Sequence, residues 1–249
     1  MKIIVLDTET VSINKPFCYD LGYLIYDTEE RKVLEQKSFV IEQVWHNLAL
    51  FQTAYYAEKR PLYVSAMRGK RAVLTKWGYA MQEMKRDIKK YNVTSVYAFN
   101  SAFDDGVFTF NCDYYHCYNP LDTIPVYDIW GYSSQFITNT QEYRNFCEEH
   151  ERFTDSGNYS GNAESVTQYL SQNYDFSEEH TALSDATIEL AILIECVRNG
   201  AMWDEEYKVI KVLNRSVQKP FTIKVNGEIL YSGEYSKKYV RNDNYNFTL

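Results

Sequence analysis

Apolar residues near the start of the chain are grouped in short runs that predict strands. Residues 2–6 form an apolar run rich in β-branched side chains, a pattern typical of a central strand buried on both faces. Residues 21–26 and 33–41 flank the polar stretch 27–32, which predicts a hairpin. We therefore expect the chain to open with a meander of consecutive antiparallel strands.

A helical spacing of apolar residues begins after this meander. Residues 44–91 favour helix, with Lys and Arg between apolar positions at helical spacing, namely Ala72, Trp77, Met81, Met84 and Ile88. Strands are predicted at 93–99 and 124–129, on either side of a short helix at 102–110. Because strands alternate with helices here, we predict an α/β fold with a mixed sheet.

One long amphipathic helix is predicted towards the end of the main domain. Residues 143–174 are polar and are expected to hold two shorter helices. Residues 183–197 carry their apolar side chains on one face, and Asn199-Gly200 provides a stop signal. The main domain is therefore predicted to cover residues 1–200, with the helical segment 44–91 as an insertion.

Residues 201–249 are predicted to form an accessory element. A last helix is expected near 203–213. Asn226-Gly227 lies between 221–225 and 228–231, a strong signal for a hairpin with a two-residue turn. The chain is thus expected to end in a small C-terminal β-hairpin appendage.

The charge of the chain is unevenly distributed. The net charge of −8 argues against a general attraction to phosphate backbones, because most proteins that bind in this way are basic. Residues 59–90, however, hold ten Lys or Arg and two acids, a local charge of +8 that leaves −16 elsewhere. This basic face suits a nucleic-acid backbone, with Arg68, Lys70 and Arg71 as candidate contacts, although a solvated amphipathic face is the alternative.

The five cysteines follow no disulfide pattern. Cys112, His116, Cys117, Cys147 and His150 could be arranged as a zinc site, but their spacings fit no standard finger. The sequence shows no signal peptide and no long apolar stretch. We therefore expect a cytoplasmic protein that does not enter a membrane.

Acidic residues follow two of the predicted strands. Asp7 and Glu9 come at the end of the first strand, where the period of two puts both carboxylates on one face, about 6.5–7 Å apart along the backbone. Asp104 lies at the junction between the strand at 93–99 and the next helix, with Asp105 as the competing candidate. Taken alone, these residues could equally be a polar strand end and a helix cap.

His180 and Asp185 mark the start of the long helix, so both can face one site. Carboxylates that converge to about 4 Å repel each other by about 4 kcal/mol per pair at an effective dielectric constant near ~20, which a bound cation would offset. Carboxylate ligands select hard ions such as Mg²⁺ or Mn²⁺, and two ions about 3.5–4 Å apart serve in-line phosphoryl displacement. The combination therefore predicts phosphodiester hydrolysis.

In their order, these residues resemble the motifs of the DEDDh 3′-to-5′ exonucleases, the superfamily that includes the proofreading subunit of bacterial replicases, ribonuclease T and oligoribonuclease. The motifs Asp-x-Glu, Asn-x-x-Phe-Asp and His-x-Ala-x-x-Asp are matched at residues 7–9, 100–104 and 180–185. The related tyrosine subgroup carries Tyr where this chain has Thr181. The resemblance covers residues 1–200 and indicates the histidine subgroup.

The resemblance implies an RNase H-like fold with a mixed five-stranded sheet flanked by helices. It implies two Mg²⁺ or Mn²⁺ ions, with Asp7 bridging both, Glu9 and Asp185 on the first and Asp104 on the second. His180 would take a proton from the attacking water. The residues expected to contact the terminal nucleotide are Thr8, Thr10, Asn100 and Phe103.

The resemblance says less about the substrate and the partners than about the fold and the site. The implied substrate is a 3′ end of DNA or RNA, single-stranded by expectation, and a polymerase or replication protein is an expected partner. The connection before the second motif, which contains the basic segment, is longer than in many family members. A non-catalytic nucleic-acid-binding or polymerase-docking module of the same fold is the rival interpretation, against which the complete set of catalytic positions argues.

Overall fold

The computed structural model of the chain contains one large mixed sheet with helices packed against it. It describes residues 1–210 and, beyond them, the backbone of residues 218–225 and 228–236. The strands are β1 Lys2–Thr10, β2 Cys18–Asp27, β3 Lys32–Ile41, β4 Val73–Thr75, β5 Val93–Ala98, β6 Val126–Asp128, β7 Gln218–Val225 and β8 Glu228–Ser236. The helices are α1 Glu42–Trp45, α2 Leu48–Phe51, α3 Arg60–Arg68, α4 Trp77–Tyr91, α5 Ser101–Tyr115, α6 Ile129–Phe136, α7 Gln141–Glu149, α8 Ala163–Ser171 and α9 Ala182–Arg198.

The large sheet has six strands in the order β4-β3-β2-β1-β5-β6. The antiparallel pairs β1–β2 and β2–β3 confirm the predicted meander. The remaining pairs, β1–β5, β5–β6 and β3–β4, are parallel. The prediction of a mixed sheet flanked by helices is therefore confirmed, although the sheet has six strands where five were expected.

The additional strand lies inside the predicted helical insertion. Residues 44–91 are not helical throughout: α3 ends at a turn in which Lys70 has a left-handed backbone (φ 57°), and β4 follows. β4 consists of Val73, Leu74 and Thr75, of which Val73 and Thr75 are β-branched, and it pairs with the end of β3. Strand pairing at the sheet edge thus overrides the helical spacing that Ala72 shares with α4.

The insertion is attached to the sheet by a hydrophobic cluster of its own. Trp45, Phe51 and Tyr63 are buried in it together with Tyr19 of β2 and Val40 of β3. A second cluster joins β1 and β2 to α4 and α5, whose Trp77 and Phe108 are buried. The insertion is consequently a packed part of the fold, and it carries its basic residues on a fixed frame.

α9 packs across β1 and β2. Its close approach depends on Gly22 of β2, because a Cβ atom at this position would lie 2.1 Å from the backbone nitrogen of Leu183. The long helix predicted at 183–197 is confirmed with slightly wider bounds. None of the helices in the described part of the chain is long and apolar enough to cross a membrane.

The prediction of a helix near 203–213 is wrong for residues 203–210, which are irregular. In a helix, the backbone N–H groups of this segment would donate to carbonyl oxygens of the preceding turn. Here, side chains of β5 and α6 accept some of these hydrogen bonds. The N–H of Asp204 donates to the Tyr97 hydroxyl (2.8 Å) and that of Ile210 to the Ser134 hydroxyl (3.0 Å). These side-chain acceptors satisfy backbone groups without a helix.

The chain divides into two compact units, residues 1–138 with 161–210, and residues 139–160 with 211–249. In the described part of the second unit, α7 is followed by a short bridge between Phe153 and Tyr159. The backbones of β7 and β8 pair in antiparallel fashion. The Asn226-Gly227 turn lies outside the described residues, so the hairpin appendage and the boundary at residue 200 stay predictions.

Candidate active site

β1 carries the first two acids beyond the point where one of its neighbours stops pairing with it. β5 pairs with β1 only from Lys2 to Val5, whereas β2 pairs with it as far as Thr10. Asp7 and Glu9 therefore lie within the strand but beyond its last pair with β5. The register with β2 also shifts after Glu9, as at a bulge. This arrangement opens a gap beside β1 that other acids can enter.

The turn after β5 is held by two carboxylates. The N–H of Phe99 donates to Glu189 Oε2 of α9 (3.2 Å), and the N–H of Asn100 donates to Asp128 Oδ1 at the end of β6 (2.8 Å). Asn100 has a left-handed backbone (φ 60°), which asparagine tolerates better than most residues. α5 thus begins at a fixed point next to the gap.

Asp104 is the acid that α5 brings to β1. It is buried, with 2% of its surface exposed, and its Oδ1 accepts a 2.7 Å hydrogen bond from the hydroxyl of Thr8. Its place in the first turn of α5 is favourable because the N-terminus of a helix attracts negative charge. Asp105 is exposed, so the structure favours Asp104 of the two candidates.

α9 brings Asp185 to the other acids from its first turn. Asp20 of β2 accepts a 2.8 Å hydrogen bond from the N–H of Ala182, the first residue of α9. This carboxylate satisfies one of the free N–H groups at the helix N-terminus and fixes where the helix starts. Asp185 is consequently buried, with 8% of its surface exposed, and held next to the sheet.

His180 lies in the loop before α9 and faces the same group of acids. Its Nδ1 is 3.9 Å from Asp185 Oδ2 and 3.7 Å from Glu178 Oε2. The imidazole is stacked on the ring of Tyr56, with 4.2 Å between centroids and 12° between planes. Burial and the nearby charge of Lys59 lower the pKa of His180 from its ordinary value of 6.5, so the neutral form is favoured.

Burial and mutual repulsion raise the pKa of each acid in this cluster. The pKa of Asp7 lies well above its usual value because burial and the charges of Glu189 and Asp104 disfavour ionisation. Burial and the charge of Asp185 raise the pKa of Glu9 to about 9. Burial is also the main reason why the pKa of Asp104 and that of Asp185 rise to about 7. Joint ionisation of these carboxyls therefore requires a compensating positive charge.

Two groups of potential metal ligands occur among the described residues. The ligand atoms of Glu9, His180 and Asp185 lie within 4.8 Å of one another, and Glu164, Glu178 and His180 form the second group. Oδ1 of Asp185 is buried and has no hydrogen-bond partner in the described part of the chain, so it can accept a cation. A hard divalent ion fits these oxygen donors. Neither group contains a cysteine, and the zinc arrangement gains no support.

The expected nucleotide contacts have different surroundings. Thr8 is buried, and its hydroxyl donates to Asp104. Thr10 is half-buried, and its hydroxyl donates to Ser12 O at 3.4 Å. Asn100 is exposed at the start of α5, and Phe103 is partly buried against the hydrophobic core. Contacts of these four residues with a nucleotide stay predictions.

The predicted basic contacts are on the surface. Arg68, Lys70 and Arg71 are all exposed. Lys70 and Arg71 line an open groove of about 460 Å³ between α3, β3 and the start of α9, where Thr181 lies next to His180. The lining also includes Glu179 and Ser184, which are next to His180 and Asp185 in the chain.

Some residues of the site were not predicted from the sequence. Glu189 could have been found, because it lies one helical turn after Asp185 on the same face of α9. Asp20 is an acid inside an otherwise buried strand, which is a second usable signal. Tyr56 and Lys59 belong to the insertion, and no local pattern relates them to His180.

No family model and no curated protein matches the chain by sequence. Solved structures match it by fold. The nuclease domain of 3′hExo, described as a DEDDh family member and bound to rAMP, aligns with a TM-score of 0.54 at 11% identity, over 80% of this chain and 92% of that one. A full-length 3′-exonuclease also gives 0.54 at 11% identity, over 95% and 67%. Exonuclease I gives 0.48 at 13% identity, and this chain covers 40% of its length. The first two matches confirm the RNase H-like exonuclease fold that the motifs predict.

Proposed function

We propose that this chain is a metal-dependent 3′-to-5′ exonuclease of the DEDDh superfamily. One observation carries the proposal: the four carboxyls of the expected metal site act on one another electrostatically around the open edge of β1, with His180 beside Asp185. Such a concentration of buried and half-buried acids destabilises a fold in which no cation is bound. A metal-dependent reaction explains why the fold carries it, and phosphodiester hydrolysis fits the donor set.

The residues of the cluster divide into ligands and a base. Asp7, Glu9 and Asp185 would hold one divalent ion, and Asp104 together with Asp7 a second. Bound Mg²⁺ or Mn²⁺ supplies Lewis acidity that stabilises the charge developing on the phosphate. Neutral His180 accepts a proton from the attacking water, and the carboxylates near its Nδ1 stabilise the imidazolium that results.

The proposed substrate is a single-stranded 3′ end of DNA or RNA. The groove lined by Lys70 and Arg71 supports a path for the phosphate backbone towards His180, because its lining also includes Glu179 and Thr181, the two neighbours of His180 in the chain. A polymerase or replication protein as partner and a location in the cytoplasm stay predictions.

The proposal is tested by digesting matched single- and double-stranded DNA and RNA that carry a label at the 5′ end, with Mg²⁺ or Mn²⁺ and with a chelator. A 3′-to-5′ exonuclease shortens the labelled strand one nucleotide at a time. Asp185→Asn serves as the inactive control. Metal-dependent binding of the oligonucleotide by the intact chain, without any cleavage, would instead identify a non-catalytic binding module.

A further inference from the structure

The His180 imidazole has no hydrogen bond to another described residue. The carboxylate oxygens of Glu178 and Asp185 are 3.7 and 3.9 Å from its Nδ1, beyond hydrogen-bonding distance. Its backbone is left-handed (φ 50°), a conformation that is uncommon outside glycine, although histidine adopts it more often than most residues. A histidine that acts as a base is normally oriented by a hydrogen bond to its second ring nitrogen. Some other contact must therefore fix the ring here.

Tyr56 provides that contact. Its ring lies parallel to the imidazole at a centroid distance of 4.2 Å and an angle of 12°. A stacked ring restricts the side-chain rotation of His180 and leaves both ring nitrogens free at their edges. Such a contact can orient a base without using the nitrogen that accepts the proton.

The segment that carries Tyr56 is itself fastened at both ends. Ala54 is buried in the hydrophobic cluster of the insertion, and Ala57 packs against that cluster. Lys59 donates a 2.6 Å hydrogen bond to the carbonyl oxygen of Glu179, the residue before His180, and its ammonium group lies 4.5 Å from the centre of the Tyr56 ring. The stacked ring is thus held on the frame of the insertion and tied to the catalytic loop.

We propose that Tyr56 is a positioning residue that orients the His180 imidazole by stacking, so that the insertion completes the catalytic site. The inference rests on the proposed nuclease function. It gives part of the segment 44–91 a role that is separate from binding phosphates through its basic residues. It also predicts that the aromatic ring of Tyr56 matters and its hydroxyl group does not.

The kinetic test compares Tyr56→Leu with Tyr56→Phe. A stacked aromatic pair contributes enough to account for a loss of about 10-fold, so Tyr56→Leu should lower kcat by about that factor while KM changes less than about twofold. Tyr56→Phe should restore the rate to within about threefold of the wild-type value. Tyr79→Leu, at an exposed tyrosine of α4, is the matched control and should leave both constants unchanged.

A double-mutant cycle separates positioning from general damage. In a His180→Ala background, Tyr56→Leu should cause no further loss of kcat, because the ring that it orients is gone. An equal loss in both backgrounds, or a Tyr56→Phe enzyme as slow as Tyr56→Leu, overturns the inference and leaves the nuclease function intact.

A second measurement does not depend on activity. The chain has four histidines, so the imidazole proton signals of His180 can be assigned in NMR spectra with the His180→Ala variant. In the Mg²⁺-loaded wild-type chain the Tyr56 ring should shift these signals upfield, and Tyr56→Leu should abolish the shift while Tyr56→Phe keeps it. Unchanged His180 signals in Tyr56→Leu refute the stacking, whereas absence of cleavage by the wild-type chain refutes the proposed function.

Discussion

The hydroxyl of Thr8 donates a 2.7 Å hydrogen bond to Oδ1 of Asp104, joining the strand that carries the first motif to the helix that carries the second. Both residues are buried, so the bond is shielded from water. It is also one of the contacts that lower the pKa of Asp104 against the effect of burial. Thr8 therefore acts on the expected metal site through Asp104 and does not need to touch a nucleotide.

Thr8→Val should weaken metal binding. The substitution keeps the shape of the side chain and removes the donor, so the Asp104 carboxylate loses a stabilising partner. A hydrogen bond that holds a metal ligand contributes about 10- to 100-fold to metal affinity or activity, and the Mg²⁺ concentration for half-maximal cleavage should rise by a factor in that range. Thr8→Ser retains the donor and should stay close to the wild-type requirement. An unchanged Mg²⁺ requirement in Thr8→Val would contradict this role.

Asp7→Asn or Asp185→Asn should abolish cleavage and leave the fold intact. Loss of a metal ligand removes several kcal/mol of transition-state stabilisation, so the rate should fall by more than about 100-fold. Without metal, each variant should melt at the same temperature as the wild-type chain or slightly above it, because one repelling charge is gone. Initial rates with a labelled oligonucleotide and thermal melting in a chelator measure the two effects. Full activity in either folded variant would show that the ligand assignment is wrong.

The stability of the metal-free protein should fall as the pH rises. An acid whose pKa is raised in the folded state stabilises the fold below its unfolded pKa, and this contribution is lost as the pH rises through the folded value. For Asp104 and Asp185, stability is lost between the usual pKa of 3.8 and the raised pKa of about 7. For Glu9, it is lost between the usual pKa of 4.5 and the raised pKa of about 9.

Thermal melting between pH 5 and pH 9 measures this loss. In a chelator, Tm should decrease by at least about 3 °C over this interval, corresponding to about 1 kcal/mol for a chain of this size. Saturating Mg²⁺ should remove most of the decrease, because cation binding stabilises the ionised acids. A Tm that rises with pH in the chelator would refute the electrostatic account of the cluster.

His180→Ala should slow cleavage while metal binding survives. General-base catalysis is worth about 10²- to 10⁴-fold, so kcat should fall by a factor in this range. Burial and the charge of Lys59 lower the pKa of His180 from its ordinary value of 6.5, so the base is neutral at pH 7. The rate should therefore decline only below pH 6.5. The variant should lose this acidic decline, which a pH–rate profile at saturating Mg²⁺ measures. Near-normal turnover with an unchanged profile would make His180 a bystander.

Neutralising Arg68, Lys70 and Arg71 together should weaken substrate binding and leave the chemical step nearly unchanged. The three side chains are exposed, and Lys70 and Arg71 line the groove that leads to Thr181. Each phosphate contact that is lost reduces the dependence of log K on log salt by about 0.7 for a single strand. KM should therefore rise and its salt dependence should flatten, with kcat within about twofold. Replacement of Lys85, Arg86 and Lys89 on α4 provides a control of equal charge. An unaltered salt slope would mean that the groove is only solvated.

The central strands, the long helix and the positions of the predicted acids in them could be predicted from the sequence alone. Apolar runs and a period of two define β1 and its acidic end, and the apolar face of residues 183–197 defines α9 with Asp185 in its first turn. These signals are local, because each depends on side chains a few positions apart. The motif spacing then indicated which acids meet.

Features that depend on residues far apart in the chain could not be predicted in this way. β4 exists because the end of β3 offers an edge for pairing, and residues 203–210 are irregular because side chains of β5 and α6 satisfy their backbone groups. The partner of Thr8 is 96 positions away in the chain, and the stack of Tyr56 on His180 joins the insertion to the loop before α9. Local periodicity contains no information on such pairs, since packing brings them together only when the whole sheet and its helices are in place.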